Sequence, residues 1–112
     1  MGDDEILKRV AEIEDRLEGE EGINKDWFIT GGALHRNVNL GPIRQTHWSP
    51  LRQPADWGPL IEKYHVDCVA EVDADGCDFW ECVATGGFTP KRCTHESLPH
   101  AILLAIIEAH NG

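Results

Sequence analysis

Apolar residues near the start of the chain recur at the spacing of an α-helix. Four of them follow at intervals of four, three and four positions: Ile6, Val10, Ile13 and Leu17. This pattern predicts a helix over Asp3–Glu18, with Asp3 as its N-cap and Gly19 just beyond its end. The apolar stripe is narrow, which favours docking on a sheet or pairing with a second copy of the chain.

The last part of the chain is apolar on almost every side. The apolar residues are Leu98, Ala101, Ile102, Leu103, Leu104, Ala105, Ile106, Ile107 and Ala109. A helix without a polar face is typical of a core element, so Leu98–Asn111 is predicted to be a buried helix. Thr94 or Ser97 can cap it, and Pro99 suits its first turn.

Residues 66–84 alternate in the manner of a β-hairpin. Val66–Val72 and Phe79–Ala84 are rich in strand-forming residues, and Asp75-Gly76 between them is a strong turn motif. Phe88–Thr94 is expected to add a third strand at an edge of the sheet, because Pro90 lacks the N–H that a central strand needs.

The same alternation predicts a register for the hairpin. The expected cross-strand pairs are Val72 with Trp80, Ala70 with Cys82, and Cys68 with Ala84. This register gathers apolar groups on one face and sets Glu71 near Glu81 on the other. Two facing carboxylates can do acid–base chemistry, although on an exposed sheet they are more often solvated charges.

Residues 23–47 show no clear period. Trp27–Thr30 is predicted to be a short strand that Gly31-Gly32 would stop, and turn-forming residues are scattered through the rest. An irregular stretch of this length is unusual in a compact domain, and it either carries function or conceals an element. It is the least acidic part of the chain and contains His35, Arg36, Arg44 and His47. A pocket that gathered its histidines with a carboxylate would indicate a small-ligand-binding protein or an enzyme.

Two tryptophans and three prolines are concentrated between Trp48 and His65. In a helix, four residues of this run would share one side: Trp57, Leu60, Ile61 and Tyr64. Pro54 or Pro59 can occupy a first helical turn, where a missing N–H costs nothing. The run therefore predicts a helix that packs through aromatic anchors.

The run SPLRQPADWGPLIEKY, the two predicted strands after it and the closing THESLPHAILLAIIEAH together resemble the phage ABA-sandwich family, which is similar to NinX-like proteins. The resemblance covers residues 48–110 and is carried mainly by the order of Pro, Trp and Gly in the first run. It implies a phage origin and helices on both faces of a small sheet. The family has no agreed catalytic motif, so the resemblance implies no active site.

The chain has 112 residues, which is the size of one domain. We expect a single domain over residues 1–112, with an N-terminal helix and irregular region over 1–47 and an ABA-sandwich-like part over 48–112. The predicted class is α+β. It consists of a small antiparallel sheet, either a hairpin or three strands, with helices packed on it in an α-β-α sandwich-like order.

The formal net charge of −10 restricts the partners that this chain can bind. It argues against nucleic acid, whose phosphates need clustered Lys and Arg, and against an anionic membrane surface. No apolar run approaches the roughly 20 residues of a membrane span, and the acidic N-terminus is unlike a secretory signal. The host cytoplasm is therefore the expected location. The charge is compatible with a basic protein partner and equally with simple solubility.

The cysteines and histidines do not form a known catalytic or metal-binding motif. Cys77-x4-Cys82 is too wide for a zinc knuckle and Cys93-x-His95 is too tight, which favours reduced structural thiols over zinc or a disulfide. The chain also lacks a Gly-x-Ser-x-Gly elbow and a His-Glu-x-x-His pair. We expect no enzymatic activity, no metal and no cofactor.

Tryptophan is prominent in protein interfaces, and carboxylates suit a basic partner. The candidate partner-binding residues are Trp27, Trp48, Glu20, Glu21, Glu71, Asp73, Asp75 and Glu81. The expected function is that of a small acidic phage accessory protein that binds a host protein without catalysis. One such protein would be an anti-CRISPR inhibitor that blocks a basic nucleic-acid-binding surface. A homodimer is also compatible with the sequence.

Overall fold

The computed structural model describes residues 2–14, 27–30, 32–39, 43–86 and 90–110. The helices are α1 (Asp3–Ile13), α2 (Pro54–Lys63) and α3 (Leu98–His110). The strands are β1 (Trp27–Thr30), β2 (Ala33–Asn39), β3 (Ile43–Trp48), β4 (Val66–Val72), β5 (Asp78–Ala84) and β6 (Arg92–His95). Strands β1–β3 form a first antiparallel sheet and β4–β6 form a second one, each in sequence order. The predicted α+β class is confirmed.

Helix α3 is the centre of the core, as its apolar composition predicts. Its buried residues are Ala101, Ile102, Leu103, Ala105, Ile106, Ile107 and Ala109. One side of α3 packs on the second sheet, mainly on β5 and β6, and another packs on α1. Of the two predicted caps, Ser97 precedes the helix, and its carbonyl accepts the Ala101 N–H at 3.0 Å.

Helix α1 has a broader buried side than the predicted stripe. Ile6, Leu7, Val10 and Ala11 are all buried. They face α3 above all, with β1 and β2 alongside, so the main docking partner is a helix and not a sheet. The N-cap is Gly2, and the prediction of Asp3 is therefore wrong by one position. The predicted end of the helix at Glu18 lies outside the described residues.

Helix α2 matches its predicted apolar side. Leu60 and Tyr64 are buried, and Trp57 and Ile61 pack against the core. Pro54 occupies the first turn, where its missing N–H leaves no broken hydrogen bond, whereas Pro59 lies inside the helix. Helix α2 also packs against β4.

The first sheet occupies most of the stretch that the sequence predicts to be irregular. Only β1 was expected, and it is confirmed; the prediction of an irregular 23–47 is wrong where β2 and β3 lie. The two missed strands contain poor strand formers such as Asn37 and Asn39, and they lack apolar alternation. Leu34 and Trp48, which pair across β2 and β3, are buried and attach this sheet to the core.

The register of β4 and β5 differs from the prediction by two residues. The observed pairs are Val72 with Asp78, Ala70 with Trp80, and Cys68 with Cys82. An even shift leaves each side chain on its predicted face, but it sets Glu71 opposite Phe79 and Glu81 opposite Val69. The predicted facing pair of Glu71 and Glu81 is therefore wrong.

A side chain in the turn accounts for this register. Asp73 Oδ1 accepts the N–H groups of Asp75 and Cys77, both at 2.9 Å. These bonds stabilise a turn over residues 73–77, within which Gly76 has a φ of 82° that favours glycine. The third strand, β6, is confirmed at the edge of the sheet. It begins at Arg92, beyond Pro90, while residues 88–89 of its predicted range lie outside the described residues.

Two glycines lead to opposite stability predictions. A Cβ at Gly86 would lie 2.8 Å from the Tyr64 carbonyl oxygen, whereas a Cβ at Gly58, inside α2, would meet nothing within 4 Å. We expect Gly86→Ala to lower the free energy of unfolding by about 1–3 kcal/mol, because the clash is with backbone. Gly58→Ala should raise it by about 0.5–1 kcal/mol through helix propensity. Urea denaturation measures both, and equal stability of the two variants would contradict the close approach at Gly86.

Candidate protein-binding face

The side of the second sheet that faces away from α3 is uncovered in the part of the chain that the structure describes. Its side chains line an open groove of about 420 Å³ together with Pro90. They are Asp67, Val69, Glu71, Glu81, Val83 and Arg92. We refer to these six residues as the open face.

Strand alternation brings the open face together. Successive side chains of a strand point to opposite sides, so the odd-numbered residues of β4 and β5 share one face while the even-numbered ones face α3. Arg92 joins the face because it pairs with Val83, which pairs in turn with Asp67. The result is a set of cross-strand rows that mixes carboxylates with valines.

The open face is predominantly acidic. Arg92 Nη1 donates to Glu81 Oε1 at 2.9 Å, and because the arginine side chain is 77% exposed this pair adds little stability. Within the described residues, no ion pair or side-chain hydrogen bond involves Asp67 or Glu71, and both are exposed. Two carboxylates of the open face are thus available to an external cation.

An exposed valine lies among these charges. Val69 is 52% exposed on the open face, and Val72 is 62% exposed near the end of the hairpin, on the opposite side of the sheet. Contiguous apolar surface can mark a contact site, and the partly buried Val83 lies on the same face as Val69. The open face therefore combines an apolar centre with charged neighbours.

Four of the eight predicted partner-binding residues lie in or beside this region. Glu71 and Glu81 belong to the open face. Asp73 and Asp75 are exposed in the adjoining turn, where the Asp73 carboxylate is occupied by backbone N–H groups and has a structural role.

The remaining predicted residues do not contribute to the open face. Trp48 is only 6% exposed because it packs in the core, so its prediction as a surface contact is wrong. The backbone of Trp27 is in β1, but its side chain lies outside what the structure describes. Glu20 and Glu21 lie wholly outside the described residues.

Four residues of the open face were absent from the predicted set, and the two charged ones among them are Asp67 and Arg92. Asp67 could have been found, because it has the same odd-numbered position in β4 as Glu71. Arg92 could not have been found from the sequence. Its position on the open face depends on the register between β5 and β6, and no alternating pattern in the sequence predicts that register.

Two histidines of residues 23–47 lie in neighbouring strands of the first sheet. His35 and His47 are directly paired across β2 and β3, and His35 is half-buried. The side chain of His47 lies outside the described part of the chain. Two grooves of the structure, on the open face and beside His95, include neither of these histidines.

Three free thiols form a row across the inner face of the second sheet. Cys82 pairs with Cys68 on one side and Cys93 on the other. Burial raises the pKa of the Cys82 thiol, and the neighbouring Cys68 raises it further. Burial likewise raises the pKa of Cys93, assisted by Glu108. A neutral thiol is a poor nucleophile and metal ligand, so this row suits packing better than chemistry. Among the described residues, no group of three or more His, Cys, Asp or Glu side chains is placed so that it could hold a metal ion.

Ser97, His100 and Asp3 form a hydrogen-bonded chain. His100 Nδ1 is 2.8 Å from Ser97 Oγ, and its Nε2 is 3.0 Å from Asp3 Oδ1. These are the residue types of a hydrolytic triad, but Ser97 precedes the first turn of α3 and its N–H donates to His95 Nδ1 at 2.9 Å. That N–H is unavailable to an oxyanion, and the chain of bonds ties the start of α1 to the start of α3.

Comparisons with family models, with curated proteins and with solved structures gave no match to this chain. None of the described helices combines the length and the apolar composition needed to cross a bilayer.

Proposed function

We propose that this chain is a non-catalytic protein-binding module that presents its open face to a basic surface of another protein. The observation that carries this proposal is the uncovered sheet side, where three carboxylates surround an exposed valine. Protein interfaces commonly combine an apolar centre with a polar rim, and Val69 with its acidic neighbours has that arrangement.

The shape of the groove favours a macromolecular partner. It is open and lined by side chains of three neighbouring strands, whereas small-molecule sites usually enclose most of their ligand. Its carboxylates would pair with Lys and Arg and would steer a basic partner at low ionic strength.

The net charge of −10 and the resemblance to the phage ABA-sandwich family support a sharper form of the proposal. In that form the chain is a phage accessory protein in the host cytoplasm. It inhibits a bacterial defence complex by covering a surface that otherwise holds nucleic acid, as an anti-CRISPR protein does.

Charge reversal on the open face tests the proposal. The double variant Asp67→Lys/Glu71→Lys should weaken binding to a basic host protein by about tenfold or more, because two attractive charges become repulsive. The measurement is affinity capture from bacterial lysate at low and high salt, with mass spectrometry and then titration of the retained protein.

The matched control is Asp4→Lys/Glu62→Lys, which makes the same change in net charge at exposed positions on α1 and α2. It should retain the partner. Equal loss of binding in both double variants would show that net charge and not the open face governs binding. Failure of the unmodified chain to retain any basic protein at low salt would remove the support for the proposal.

A further inference from the structure

The outer edge of β4 carries no neighbouring strand in the described part of the chain. β4 is the first strand of the second sheet and pairs only with β5 on its inner side. Apart from half-buried Cys68, its residues from Asp67 to Val72 are exposed, including Ala70 and Val72, whose side chains lie on the α3 side of the sheet. An exposed strand edge offers unpaired N–H and C=O groups to another extended chain.

Two backbone hydrogen bonds establish which groups of β4 point outward. At the turn, the Asp73 N–H donates to the Cys77 carbonyl at 3.0 Å. At the other end, the Thr85 N–H donates to the His65 carbonyl at 3.1 Å. Because hydrogen-bonded and non-hydrogen-bonded pairs alternate along an antiparallel ladder, the odd-numbered residues of β4 bond to β5. The even-numbered residues direct their N–H and C=O groups to the outer edge: Cys68, Ala70 and Val72.

A second copy of this chain would oppose like charges in the registers centred on the middle of the strand, from Val69 to Glu71. Two antiparallel copies related by a two-fold axis at Val69 would set Asp67 opposite Glu71. An axis at Ala70 would set Asp67 opposite Asp73, and an axis at Glu71 would set that residue opposite itself. Each of these registers brings like charges together across strands, which is destabilising.

We propose that the edge of β4 takes up an extended segment of the partner in which Lys or Arg alternates with apolar residues. This inference rests on the proposed function and adds how the partner binds. The basic side chains would lie beside Asp67 and Glu71 on the open face. The apolar ones would lie beside Ala70 and Val72 on the other side, and the backbone would pair with the outward groups of β4.

The probe is a synthetic peptide of the length of β4 in which lysine and valine alternate. Its control is the same peptide with alternate backbone nitrogens methylated, which keeps the side chains and removes the pairing donors. We expect the first peptide to bind. The methylated peptide should bind more weakly by a factor of about ten or more, because several backbone hydrogen bonds are lost. Fluorescence anisotropy measures both affinities.

Variants locate the site on the protein. Ala70→Pro removes an outward N–H of β4 and should weaken peptide binding by about tenfold, whereas Thr94→Pro removes an outward N–H from the opposite edge of the same sheet and should not. Amide hydrogen exchange on the unmodified chain provides an independent readout. Peptide binding should slow exchange at Ala70 and Val72, which contact through side chains alone would not do.

The outcomes separate this inference from the proposed function. If the peptide binds Ala70→Pro as tightly as the unmodified chain and protects no β4 amide from exchange, the edge inference is overturned. In that case, a loss of affinity of Asp67→Lys/Glu71→Lys for the basic host protein would still preserve the role of the open face. Absence of peptide binding also overturns the inference. The β4 amides could also be protected without peptide, in a dimer detected by sedimentation. That result would assign the edge to a second copy and would overturn the inference as well.

Discussion

Replacing Ile107 with alanine should lower the free energy of unfolding by about 2–5 kcal/mol. The side chain is 1% exposed in the middle of the core cluster around α3, so its removal leaves a cavity that close-packed neighbours fill only in part. A small domain has a total stability of about 5–15 kcal/mol, and this single change would therefore remove a large part of it. Guanidinium denaturation followed by tryptophan fluorescence measures the loss.

Leu104→Ala is the matched control for this prediction. From the sequence alone the two positions look equivalent, because α3 is apolar on nearly every side. In the structure Leu104 is only partly buried, so its truncation should cost clearly less than that of Ile107. Equal losses at the two positions would contradict the placement of α3 between the second sheet and α1.

Replacing Glu14 with alanine should lower the free energy of unfolding by about 1.5–3 kcal/mol. Glu14 follows α1, and its side chain is only 5% exposed. Its Oε2 accepts the hydroxyl of Tyr64 and lies 2.5 Å from Lys63 Nζ, which joins the end of α1 to the end of α2. The loss arises chiefly at the buried tyrosine, because the lysine side chain is 59% exposed and water screens its charge.

A double-mutant cycle separates the Tyr64 and Lys63 contacts of Glu14. The coupling free energy between Glu14→Ala and Tyr64→Phe should exceed that between Glu14→Ala and Lys63→Met, as measured by urea denaturation of the single and double variants. A larger coupling to Lys63 would show that the ion pair and not the hydroxyl holds the two helices together.

The sequence predicted the elements whose apolar residues are periodic. Helix α3 and the β4–β5 hairpin have strong patterns, and both lie where they were expected. The first sheet has no such pattern. Of its described side chains, Ala33, Leu34 and Trp48 are buried, and their positions have no regular spacing along the chain that would have predicted β2 and β3.

The sequence predicted part of the candidate site, because strand alternation is also a periodic pattern. Alternation fixes the face on which a strand residue lies, so Glu71 and Glu81 were correctly placed on the side away from the apolar residues. It does not fix the register, which here depends on a side-chain bond from Asp73 within the turn. A tryptophan can serve in a core or in an interface, and only the fold shows that Trp48 serves in the core.

The contact between α1 and α3 has a consequence for how the polypeptide acquires its structure. Asp3 and His100, which join the starts of these helices, are separated by 97 positions, so α1 is synthesised long before its packing partner emerges from the ribosome. A helix of 11 residues is marginal in water by itself. The core should therefore close late, in one cooperative step, and a fragment beginning at Trp48 would expose the side of α3 that α1 shields.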